Sequence, residues 1–141
     1  MSREILFRAR RLDNGEWVYG DLYHQKICGR ISPTIHTTDY TGGCVIPETI
    51  GQYTGLIDKN GNKIFVGDII KCNNMIEGYK YIGLVDWDKC NPSMCIRYKS
   101  KGRVIHVEYD FIHCGNMIIE LLGNIHNNPE LWKNANFHKT K

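Results

Sequence analysis

His106, Glu108 and Asp110 recur at every second position of one segment, a spacing that sets all three on one face of a strand. Neighbours on such a face lie about 7 Å apart along the strand. That is close enough for a histidine and a carboxylate to divide general acid–base work between them. The competing reading is the wetted face of a half-buried strand, since Ile105, Val107, Tyr109 and Phe111 alternate with them. Asp86 and Asp88, on either side of Trp87, could pair as carboxylates and meet the same alternative. A structural zinc site needs two closely spaced Cys or His pairs that converge tetrahedrally. Cys90 and Cys95 could converge across the Asn91-Pro92-Ser93 turn, but His113 and Cys114 are adjacent and would point to opposite sides of a strand. Reduced, buried thiols are therefore expected, with no metal and no other cofactor. The chain contains no Gly-x-Ser-x-Gly elbow and no glycine-rich phosphate loop opening a helix. These patterns favour a protein that is not an enzyme. The alternative is a small hydrolase or metal-dependent enzyme using His106 with Glu108 or Asp110.

Binding is the other chemistry to weigh. Arg97, Lys99, Lys101 and Arg103 bracket a turn, and Arg3, Arg8, Arg10 and Arg11 crowd the N-terminus. Barrels that hold nucleic acid combine basic loops with exposed aromatic rings on which bases stack. Tyr79, Tyr81, Trp87, Tyr98 and Tyr109 could supply such rings, with Arg97, Lys99, Lys101 and Arg103 as contacts. The net charge of +3 permits this without demanding it. At these strand positions the aromatics read as core, and the charge runs as a solvated strand and a hairpin tip. A protein partner is thus favoured over nucleic acid. Open sheet edges and an aromatic N-terminal hairpin also invite pairing with a second copy.

The elements that must position these residues are strands. A phrase occurs twice: Asn14-Gly15 running through Trp17-Val18-Tyr19 to Gly20-Asp21, and Asn60-Gly61 running through Ile64-Phe65-Val66 to Gly67-Asp68. Each copy reads as hairpin turn, apolar strand and glycine bend. Asp21 and Asp68 are expected to accept a backbone N–H at the bend. The copies have four and five residues between their glycines, so they should not superpose. Strands are expected at 5–12, 17–23, 30–35, 79–87, 95–98, 104–112 and 117–125. One helical turn is expected at Pro47-Glu48-Thr49, and another with Asn128 as N-cap and Pro129 first. Many short strands with tight turns and little helical period indicate a small β-barrel or an open, strongly curved sheet. The 141 residues suit one domain with an appendage, and 42% hydrophobic residues suffice for a core. No signal-peptide pattern or membrane-length apolar run occurs, which points to a soluble cytoplasmic protein without membrane contact.

The run QYTGLIDKNGNKIFVGDIIK, from Gln52 through Tyr53, Gly55, Asn60, Gly61, Gly67 and Asp68 to Lys71, resembles the signature of YopX-like proteins. These are small proteins commonly encoded by phages and prophages. The opening REILFRARRLDNGEWVYGDL, the stretch Pro47 to Gly51 and the ending ELLGNIHNNPEL agree with that family. The resemblance implies a mainly β fold with an SH3-like barrel in the C-terminal two thirds. Residues 1–50 would then be the N-terminal hairpin and crossover, 51–132 the barrel and 133–141 a flexible tail. It implies no settled activity and no catalytic residue. A phage-type accessory protein acting by binding is the resulting expectation.

Overall fold

The computed structural model describes residues 4–76, 78–88, 93–100, 103–108, 117–135 and 138–139. The chain forms two compact units, Met1–Gly55 and Leu56–Lys141. The boundary falls after Gly55 rather than Ile50 because Gly51 and Gln52 pair with the first strand. The fold is mainly β, with antiparallel sheets and one short helix among the described residues. No helix among them is long and apolar enough to cross a membrane.

The N-terminal unit contains β1 (Phe7–Arg10), β2 (Trp17–Ile27), β3 (Arg30–His36), β4 (Gly43–Cys44), a 3-10 turn (Pro47–Thr49) and β5 (Gly51–Ile57). β5 runs on past the boundary, and the strand order is β4-β3-β2-β1-β5. Ala9, Val18, Ile35 and Val45 form its core, with Phe7, Leu22 and Ile50 packed against them. The β1–β2 turn puts Gly15 at φ 73, but Asn14 does not share the positive φ, so this is not a two-residue primed turn. Arg11 N–H donates to Glu16 O at 2.8 Å and Gly15 N–H to Arg11 O at 3.0 Å, closing a longer loop. The two-residue hairpin lies instead at Cys28-Gly29, with φ 49 and 78, between Ile27 and its partner Arg30. β2 therefore continues four residues past its expected end, Tyr23, to Ile27. Arg8 and Arg10 are not a solvated fringe: Arg8 is 5% exposed, and the Arg8 and Arg10 guanidinium groups lie 4.9 and 5.3 Å from the Trp17 ring centre; Arg3 lies outside the described residues.

The C-terminal unit contains β6 (Lys63–Phe65), β7 (Asp68–Asn74), β8 (Tyr79–Asp88), β9 (Ser93–Ser100), β10 (Arg103–Glu108), β11 (Met117–Asn124), α1 (Pro129–Lys133) and β12 (His138–Lys139). Its main sheet runs β10-β9-β8-β7-β11, and β12 pairs with β8. Within the segment expected to be a tail, His138 pairs with Lys80 and Lys139 with Tyr79. Ile64, Ile70, Cys72, Tyr81, Val85, Ile96 and Ile119 form the core. Gly83 stands opposite Tyr98; a Cβ there would lie 2.5 Å from Ile96 Cγ2. The missing side chain makes room for Ile96; beside it Tyr98 stacks on Tyr81 at 4.3 Å between ring centres.

The expected barrel is not closed among the described residues. Closure needs the last strand to pair with the free edge of the first. Here β11 meets the β5–β6 turn instead: Lys59 N–H donates to Ile119 O at 3.1 Å and Leu121 N–H to Asp58 Oδ2 at 2.9 Å. The two glycine bends also differ. Gly67 has φ 99, and the buried Asp68 accepts the Phe65 N–H at 2.7 Å. Asp21 is exposed on the face of β2. Gly20 is required by a close approach, since a Cβ there would lie 2.1 Å from His36 O. Asn128 precedes α1 without a side-chain cap; its Oδ1 faces back to the Asn124 N–H at 3.4 Å.

Candidate partner-binding face

Alternation along β2 sends Val18 and Leu22 into the core and Trp17, Tyr19, Asp21, Tyr23, Gln25 and Ile27 to the outer face. Register with β3 sets His36 beside Asp21, Thr34 beside Tyr23 and Arg30 beside Ile27 on that same face. An open cleft of about 500 Å³ lies on it, bounded by Leu6, Tyr19, Asp21, His36 and the loop from Thr37 to Thr41. A second of about 250 Å³ lies on the far side of that loop, between Tyr23, Gln25 and Tyr40.

The loop is built from its own side chains. Thr37 Oγ1 accepts the N–H groups of Thr41 and Gly42 at 2.9 and 3.0 Å. Thr41 Oγ1 donates to Asp39 Oδ1 at 2.7 Å. The Thr41 hydroxyl first, then that of Thr37 and the Thr41 N–H, hold the Asp39 carboxyl below the usual 3.8. Arg11 fastens the loop from outside: its Nη1 donates to Thr41 O at 2.8 Å, while Nε and Nη2 grip Asp13 at 3.0 and 2.7 Å. The loop presents Tyr40, 87% exposed, in the left-handed region at φ 62. Its ring meets His36 edge-on, 6.3 Å between centres. Asp21 and His36 are neighbours in register, and both are exposed. The face offers rings, hydroxyls and two carboxylates.

The residues singled out from the sequence lie elsewhere. His106 pairs with Arg97 and Glu108 with Cys95 in the β9–β10 register; Asp110 lies outside the described residues. Arg97 Nε is 3.0 Å from Asp86 Oδ2. Lys99 Nζ donates to Trp132 O at 2.8 Å and sits 4.7 Å over its ring. Arg103 is exposed, and Lys101 lies outside the described residues. Of the suggested rings, Tyr81 is core, Tyr79 and Tyr98 pack against it, Trp87 is 44% exposed, and Tyr109 is not described. Cys28, Cys44, Cys72 and Cys95 are free thiols, and no cluster of three metal-ligating groups occurs among the described residues. Cys90, His113 and Cys114 fall outside them. Burial pushes the Cys72 thiol up to about 12, only slightly offset by its hydrogen bond with Tyr81. Asp58, not singled out from the sequence, is a well-bonded carboxylate: it accepts N–H groups from Asn60, Asn62 and Leu121 and the Asn62 amide.

Among curated proteins, none matches this chain. A solved structure, that of protein EF1440 from Enterococcus faecalis, is similar at 23% identity, covering 93% of this chain and 99% of that one, with a TM-score of 0.41. The family model described as YopX protein matches residues 6–133. With nearly its whole described length inside that match, the chain belongs to the YopX family.

Proposed function

We propose that the protein acts by binding rather than catalysis, and that its partner is a protein received on the outer face of the N-terminal sheet. The observation that carries this is Tyr40, 87% exposed at φ 62. A left-handed backbone at a non-glycine residue costs roughly 1–3 kcal/mol and persists only where its surroundings impose it. The Thr37, Asp39, Thr41 and Arg11 hydrogen bonds impose it here. Tyrosine is enriched at protein interfaces, where its ring buries area and its hydroxyl finds a partner. Tyr19 and Tyr23 extend the aromatic surface along β2. In this reading it is a phage-type accessory protein working in the cytoplasm. Affinity capture of the tagged protein from its native cells during phage induction tests it. A protein retained by the wild type and lost with Tyr40→Ala is the expected result. Capture unchanged by both Tyr40→Ala and Tyr19→Ala overturns the assignment. So does recovery of nucleic acid alone, which a gel shift that weakens steeply with salt would identify.

A further inference from the structure

β2 and β3 run on beyond the core they help to build. From Tyr23 to Ile31 every residue of their hairpin is exposed. A two-stranded ribbon with water on both faces is marginally stable by itself. Its outer face carries a stripe at four-residue intervals: Tyr19, Tyr23 and Ile27 are 48, 43 and 40% exposed. The stripe is symmetric in position about Tyr23. The polar groups beside it are not: Arg30 stands opposite Ile27, at the tip. Asp21 lies between Tyr19 and Tyr23, and Asp39 borders the cleft at the base. No Asp or Glu occurs between these two. The face thus carries Arg30 at the tip and, on the β3 side of its base, Asp21 and Asp39; Arg8 and Arg10, on the β1 side of that base, lie over the Trp17 ring.

We propose that this face packs on the same face of a second copy of the chain, about a two-fold axis at Tyr23. The inference rests on the partner-binding reading above and names the partner. Face-to-face packing about that axis runs the two copies of β2 antiparallel and is self-complementary. Tyr19 of one protomer then lies over Ile27 of the partner subunit, and the reverse. Arg30, level with Ile27, is carried to the level of the partner's Tyr19. There the chain leaving β3 has turned into Thr38 and Asp39, so each Arg30 faces Asp39 of the partner subunit. Opposite charges then meet at both ends of the pairing, one Arg30 to one Asp39 each time. Nucleic acid fits less well, since its phosphates would meet Asp21 and Asp39. Arg8 and Arg10 on this face are turned onto Trp17.

Light scattering on the purified full chain at micromolar concentration reads the result directly. The expected wild-type mass is that of two chains. Tyr23→Asp and Arg30→Asp should each halve it while leaving the β-type circular dichroism unchanged. Arg30→Asp combined with Asp39→Arg should restore the two-chain mass, which no loss of folding could mimic. A single-chain wild-type mass overturns self-pairing and leaves the Tyr40-dependent capture as a separate test of partner binding. An assembly whose mass ignores Tyr23→Asp and Arg30→Asp, or a double charge exchange that does not restore it, overturns the proposal as well.

Discussion

Asp58 gathers donors from its own β5–β6 turn and from β11. Its Oδ1 takes the N–H groups of Asn60 and Asn62 at 2.9 and 2.7 Å. Its Oδ2 takes the Asn62 amide at 3.2 Å and, across the sheet, the Leu121 N–H at 2.9 Å. Burial, the largest single influence, pushes its pKa up; the Leu121, Asn62 and Asn60 donors together outweigh it and leave it below 3.8. A carboxylate whose folded pKa is depressed contributes stability that is present above its unfolded value and lost as pH falls through the folded one. Acid unfolding followed by tryptophan fluorescence should therefore steepen below about pH 4, and Asp58→Asn should flatten that limb. Asp58→Ala strands several half-buried donors, and should cost about 3 kcal/mol in urea unfolding at neutral pH. A neutral-pH loss too small to measure would remove Asp58 as the organiser of this turn. A second residue-scale outcome concerns the thiols. Cys28 is exposed, whereas Cys72 is buried with its pKa near 12. In pulsed alkylation with peptide mapping, Cys28 should label in the native protein and Cys72 only on unfolding. Early labelling of Cys72 would contradict its place in the core.

The β2–β3 hairpin depends on a glycine at its base. A Cβ at Gly20 would meet the His36 carbonyl, a backbone atom that cannot swing away. Gly20→Ala should force the strands apart where the cleft is floored, costing about 3 kcal/mol at the upper end of ordinary overpacking. Thermal unfolding measures this, and the same substitution should weaken partner capture. An unchanged melting temperature would show that β2 can retreat freely. A bend at Gly20 was expected from the sequence, yet β2 runs through it from Trp17 to Ile27; what requires glycine there is the carbonyl of His36 on another strand, which no local pattern shows. The same limit hid the longer course of β2. Asn-Gly drew attention to Gly15, yet the two-residue turn is made by Cys28-Gly29, where a cysteine occupies the left-handed region. The outer face left a faint trace: Trp17, Tyr19, Asp21, Tyr23, Gln25 and Ile27 occupy alternate positions. Val18 and Leu22 are also apolar, so alternation alone did not say which face was wet. Strands and turns were legible because they rest on local patterning and turn chemistry. The Asp58 strap and the cleft were not, because their parts come together only through long-range pairing.

The two units bury cores of unequal size, and that asymmetry should appear in the order in which the molecule opens. The N-terminal core is Ala9, Val18, Ile35 and Val45, three of them alanine or valine. The C-terminal core is Ile64, Ile70, Cys72, Tyr81, Val85, Ile96 and Ile119, crossed by the stacked Tyr81 and Tyr98 rings. Stabilisation from burial scales with the apolar area removed from water, about 25 cal/mol per Å². The second unit therefore has the larger reserve against local unfolding. Amides in cooperative units exchange with a free energy set by the opening of their own unit. Native-state hydrogen exchange on dilute protein should rank three groups. The exposed arm from His24 to Ile31 exchanges first, although β2 and β3 pair throughout it, because almost no apolar burial holds those pairs closed. Ala9, Val18 and Ile35 follow. Ile70, Val85 and Ile96, in the central strands of the second sheet, exchange last. Lys59→Ala, which removes the ion pair to Glu120 at 3.0 Å, should leave the order unchanged, because exposed pairs contribute little. Asp58→Ala should instead bring the last group closer to the second by loosening β11. Equal protection of both cores would mean that the chain opens as one cooperative body, and the ranking argued from core size would fall.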